Sequence, residues 1–99
     1  MKHVIISADG DRMVYSVPNV VAEHLEEYCL EFCCTWLETS PDAAKYRKNG
    51  VFCYNEADFI DYLNQYVPDE PSVLVENLGW IDYDHPLPER YKNCQMFNF

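Results

Sequence analysis

The sequence predicts an α+β fold: a small single domain in which an N-terminal β-hairpin and a mostly antiparallel sheet are packed by two main helices. Three observations carry this. An Asp9-Gly10 pair stands between two β-prone runs, 4–8 and 11–17, the strongest short signal for a hairpin. Apolar residues recur at helical spacing over about 19–38 and again over about 55–66. The 99 residues, 48% of them apolar and 15% aromatic, suffice for one core and are too few for two independent domains.

A two-residue turn at Asp9-Gly10 sets the hairpin register, with Ala8 opposite Asp11, Ile6 opposite Met13 and Val4 opposite Tyr15. One face then carries Val4, Ile6, Met13, Tyr15 and Val17 and meets the core. The other mixes His3, Ile5 and Ser7 with Arg12, Val14 and Ser16, and is expected to be only partly covered. Pro18-Asn19 ends the second strand, and Asn19 is expected to cap a helix that runs to about Glu38 and stops at Thr39-Ser40-Pro41. On that helix Val21, Ala22, Leu25, Tyr28, Cys29, Phe32, Cys33 and Trp36 share one apolar arc. Glu23, Glu27 and Glu31 follow one another at i,i+4 on the opposite side, with Glu26 and Glu38 flanking them. Like charges at that spacing repel by a few tenths of a kcal/mol, so helix stability does not account for the stripe.

Ser40-Pro41-Asp42 starts a short helix through Lys48, and Asn49-Gly50 ends it. Residues 51–54 read as a short strand. Asn55 followed by Asp58 makes a capping pattern for the second main helix, which turns Phe59, Ile60, Leu63 and Val67 inward and leaves Asp58 and Asp61 outside. After the loop bounded by Pro68 and Pro71, residues 72–76 form a strand, Asn77-Leu78-Gly79 turns the chain, and 80–83 give a last strand. Pro86 and Pro88 keep 84–99 out of a sheet interior, so this segment is expected as an extended tail packed on the body through Phe97 or Phe99.

Function has to be sought in the charge. Seventeen Asp and Glu oppose seven Lys and Arg, a formal net charge of −10. From Asn49 to Glu89 there are nine carboxylates and no Lys or Arg, whereas a surface built only for solubility intersperses both signs. Such a balance disfavours direct contact with nucleic-acid phosphates or anionic membranes and favours a protein partner with a basic surface. Carboxylates arrayed on rigid helices can imitate phosphates and occupy a basic channel. The reading is therefore a small, non-enzymatic binding protein, an inhibitor of a basic nucleic-acid-binding protein. In size and composition the chain is similar to the small acidic inhibitors of restriction and CRISPR nucleases, although no motif carries that likeness.

The candidate partner-binding residues are Glu23, Glu27, Glu31 and Glu38 on the first helix and Asp58, Asp61 and Tyr62 on the second, with Leu30 and Leu37. Leu30 and Leu37 lie one heptad apart within the acidic face, with Cys34 between them. An exposed apolar strip there points to the alternative, an accessory or regulatory interaction module or a homodimer.

Five Cys, three of them at 29, 33 and 34, make an odd count without a signal peptide ahead of it, which predicts reduced thiols and a cytoplasmic protein. No metal or cofactor is expected, because Cys29, Cys33, Cys34 and His24 lack the paired ligand spacing of a zinc site. A third class, a small thiol or acid–base enzyme using Cys53, Cys94 or His85, finds no activating base beside a thiol and no nucleotide or nucleophile motif.

Overall fold

The structure, a computed structural model, describes residues 1–8, 10–80 and 87–99. Strands β1 (Lys2–Ser7) and β2 (Asp11–Val17) pair antiparallel with Ile6 opposite Met13 and Val4 opposite Tyr15, the register that the short turn imposes. Asp9 lies outside the described residues. Gly10 sits at φ 98°, a backbone conformation that favours glycine, and the Trp80 ring lies over it, so that a Cβ there would come within 2.5 Å of the ring and push it aside.

The fold is α+β, and its four-stranded sheet is mixed. Four strands stand in the order β5-β2-β1-β6, where β5 is Val73–Trp80 and β6 is Gln95–Asn98. β5 is antiparallel to β2, but β6 runs parallel to β1, with Ile5 opposite Met96 and Ile6 opposite Phe97. The segment expected as a tail therefore contributes a sheet edge, beyond the prolines that would have interrupted it. The turn expected at 77–79 is also revised. β5 continues through it, with register shifts between Asp11 and Met13 and between Val14 and Tyr15 absorbing the surplus residues. Turn chemistry is present all the same: Gly79 has φ 85°, and its N–H donates to the Asn77 side chain at 2.7 Å. It bends the strand instead of reversing it. Trp80 closes β5, and the rest of the strand expected at 80–83 lies outside the described residues.

The first main helix is not continuous. α1 (Asn19–Glu23) follows Pro18, with no side-chain cap from Asn19, and breaks at His24 (φ −127°, ψ 38°). α2 (Leu25–Leu30) resumes, a segment with i→i+5 hydrogen bonding covers Glu31–Trp36, and α3 (Leu37–Thr39) ends the run. A wide turn of that kind inserts one residue and rotates everything after it by about 100° relative to an unbroken helix. That rotation overturns one expectation: Leu37 leaves the acidic face and is fully buried, so no exposed Leu30–Leu37 strip exists.

Ser40 caps the next element, accepting from Asp42 N–H at 3.2 Å, and Pro41–Tyr46 forms a 3₁₀ helix. Asn49 (φ 52°) and Gly50 (φ 79°) do not end a longer helix. They make the two-residue turn of a small hairpin between β3 (Arg47–Lys48) and β4 (Val51–Phe52). Arg47 ties this hairpin to the helices, donating from Nε to Leu37 O at 2.6 Å and from a terminal nitrogen to Ser40 O. α4 (Glu56–Tyr66) starts at the capping box read from the sequence: Asp58 N–H donates to Asn55 Oδ1 at 3.1 Å and Asn55 N–H to Asp58 Oδ2 at 2.9 Å.

Both faces of the sheet are covered at β1 and β2. Val4, Ile6, Tyr15 and Val17 meet the helices across a core centred on Phe32, Phe59 and Leu63, and Phe97 and Phe99 pack against it. On the face expected to be half-open, Ile5 and Val14 are fully buried beneath Tyr91, with Leu78, Leu87 and Cys94 at the margin. Glu76 holds that cover down, accepting from the Tyr91 hydroxyl and from Arg90 at 2.8 Å, and the two donors keep its carboxyl below its usual range. Phe32→Ala is expected to cost about 3–5 kcal/mol in chemical denaturation, as a fully buried ring is lost. Asn55→Ala, which removes only one half of a cap, is expected to cost about 1 kcal/mol.

Candidate protein-binding face

The break at His24 and the start of the wide turn shape a groove on the helical side. Val20, His24, Glu27, Tyr28 and Glu31 line one wall and Tyr62 of α4 the other, around about 370 Å³. His24 Nδ1 lies 3.4 Å from Glu27 Oε1, and no Lys or Arg is among the lining residues. Tyr62 is half-buried and held by rings on three sides, with centroids 5.1 Å from Trp36, 5.3 Å from Phe32 and 5.0 Å from Tyr66. The indole N–H of Trp36 donates to the Tyr66 hydroxyl at 2.8 Å, fixing the next ring along. Burial first, then the Glu31 carboxylate and the neighbouring Tyr66 and Tyr28, push the Tyr62 phenol up, so it stays a neutral hydrogen-bond donor. The groove thus offers two carboxylates and two aromatic walls, which suits a cationic side chain that stacks as well as pairs.

The structure gathers some of the sequence-derived candidates and scatters others. Glu27, Glu31 and Tyr62 converge on the groove. Glu38 is exposed further along on α3, and Leu30 is 42% exposed. Glu23 turns away to pair with Lys2 Nζ at 3.1 Å, at the margin of a second cleft of mixed charge lined also by His3, Arg90 and Cys94. Leu37 is in the core. Asp58, expected to stay outside, is half-buried with its carboxylate engaged in the capping box. Asp61 is exposed, and with Glu56 it acts on Tyr15: burial foremost, then Glu56 and Asp61, push that phenol up to about 12.

Sequence reasoning missed two features. From the sequence His24 is weighed only as a zinc ligand and Tyr28 only as a core residue, because nothing in the spacing announces the break that turns them to a groove. A second miss is the apolar surface of β5, where Val73, Leu74 and Val75 are about half exposed and Trp80 is 70% exposed. An uninterrupted apolar run next to Pro71 signalled a strand but not an edge position.

Among the described residues no group of three His, Cys, Asp or Glu is placed to hold a metal, and no helix is long and apolar enough to cross a membrane. Burial pushes the thiols of Cys29 and Cys94 up, away from the thiolate that nucleophilic chemistry needs. Comparison with family models, with curated proteins and with solved structures finds no match for the chain.

The Tyr15 phenol gives a pH test of the fold around this face. Its proton is held more tightly in the folded than in the unfolded chain, so its contribution is fully present below about 10 and is lost as pH rises through about 12. Melting temperature is expected to fall across that window, and Tyr15→Phe is expected to fall less steeply than the parent.

Proposed function

We propose that this chain is a non-enzymatic binding protein whose acidic helical face occupies the basic surface of a nucleic-acid-binding protein and thereby competes with nucleic acid. The groove carries the reading: Glu27 and Glu31 flank Tyr28 and Tyr62, a combination that receives an arginine by charge and by stacking together. The remaining exposed carboxylates of α2, α3 and α4, from Glu26 to Asp61, supply the wider field that steers a basic partner on approach. Glu23 contributes less, since Lys2 already neutralises it.

The test is capture of partners from cell extract on the immobilised chain, followed by elution. A bound protein is expected to be released by double-stranded DNA and by salt, because at 1 M salt charges are screened beyond about 3 Å. Glu27→Gln with Glu31→Gln and Glu38→Gln is expected to weaken binding by about 1–3 kcal/mol, the sum of three exposed pairs. Binding indifferent to salt and to the triple variant overturns the reading.

A second reading, self-association, rests on the exposed Val73, Leu74, Val75 and Trp80 of edge strand β5 instead of on the first helix. Under it, Val73→Lys with Val75→Lys converts a dimer to a monomer in sedimentation, and a parent that sediments as a monomer at all concentrations removes it.

A further inference from the structure

Cys33 and Cys34 are neighbours in the i→i+5 segment, and their sulfur atoms lie 3.6 Å apart, with Cys33 half-buried and Cys34 exposed. Adjacent residues of a helix normally project about 100° apart and do not face each other. Here the two thiols share an S–H···S contact, and the Cys33 thiol also reaches back to Leu30 O at 3.9 Å. The separation matches the bite of a single atom bonded to both sulfurs: two thiolates on one tetrahedral zinc, each at about 2.3 Å, lie roughly 3.8 Å apart.

Two alternatives compete for such a pair. A disulfide joins Cα atoms usually about 4.4–6.8 Å apart, whereas neighbours across a trans peptide are held at about 3.8 Å, so closing the bond would distort the helix. A four-coordinate metal would find only half its ligands, since no third His, Cys, Asp or Glu joins the pair among the described residues. A trivalent centre that already carries one substituent needs two sulfurs and nothing more.

We propose that Cys33 and Cys34 form a vicinal dithiol site that captures a monosubstituted trivalent arsenical, or a trivalent thiophilic centre of the same valence, as a bridge between the two sulfurs. The step is a condensation. The arsenic–oxygen bond of an arsenoxide breaks, two arsenic–sulfur bonds form, and the oxygen leaves as water with the two thiol protons. No electron is transferred and no co-reactant is needed. Burial foremost, then the hydrogen bond and charge of Cys34, push the Cys33 thiol up to about 11, so Cys33 enters the condensation carrying its proton, as this stoichiometry requires. The site is independent of the acidic groove.

The test uses phenylarsine oxide at one equivalent on the folded chain, read by intact mass and by alkylation mapping. One phenylarsenic group is expected per chain with loss of one water, Cys33 and Cys34 are expected to be protected together while Cys53 alkylates, and a small dithiol but not a monothiol is expected to reverse the adduct. Cys34→Ser, at an exposed position that leaves packing intact, is expected to lower retention by about 10²-fold, the order of advantage that a second linked contact supplies. Cys53→Ser with Cys94→Ser is expected to retain the adduct in full. Parent-like retention by Cys34→Ser, protection of one thiol alone, or a chain lighter by two hydrogens and free of arsenic would overturn the proposal.

Discussion

Phe32 must reach the middle of the helical layer, and much of the molecule is arranged so that it can. Its ring meets those of Trp36, Tyr54, Phe59, Tyr62 and Phe99, each with centroids 5.3–5.8 Å away and most in edge or tilted contact. These partners come from the wide turn itself, the segment before α4, α4, and the residue that follows β6. An aromatic pair adds roughly 0.5–1.5 kcal/mol beyond the area it buries. A straight helix could place Phe32 inside, but it would leave Leu37 facing water. The wide turn resolves that conflict and, as a by-product, sets Cys33 and Cys34 side by side.

The same constraint organises the surface. With the inward arc filled by Val21, Leu25, Cys29 and Phe32, the remaining positions of α2 carry Glu26, Glu27 and Leu30 toward solvent. Tyr62 faces both ways, one edge in the ring cluster and the other on the groove. A binding wall made from a ring that is also part of the core is held rigidly, which lowers the ordering cost when a partner docks. Glu76 illustrates the opposite use of a carboxylate, as a clamp between Arg90, Tyr91 and strand β5.

Local chemistry was legible wherever one residue type forces one geometry. Asp9-Gly10 dictated the hairpin and its register, and Asn55 with Asp58 dictated the cap of α4. Asn49-Gly50 and Asn77-Leu78-Gly79 were recognised as places where the backbone bends, but whether a bend ends a helix, closes a hairpin or bulges a strand depends on what lies across from it. The break at His24 and the wide turn at 31–36 leave no local signature, and the wide turn answers a tertiary need, the burial of Phe32, Trp36 and Leu37 together. For the candidate site the residue types Glu27, Glu31 and Tyr62 were readable. Their convergence was not, since it depends on how α4 lies against α2.

The parallel pairing of β6 with β1 joins segments from almost opposite ends of the sequence, Val4 with Gln95 and Ser7 with Asn98. Closing so long a loop carries an entropic cost before any contact repays it, and folds rich in such distant pairings form slowly. Until β6 docks, Phe99 is missing from the Phe32 cluster on one face. The cover over Ile5 and Val14 is missing from the other, because Tyr91 and Cys94 arrive on the same stretch of chain. One event therefore seals both sides of the sheet. The two cores cannot open separately at that edge, and the molecule gains or loses its protection against exchange and proteolysis there as a single cooperative unit.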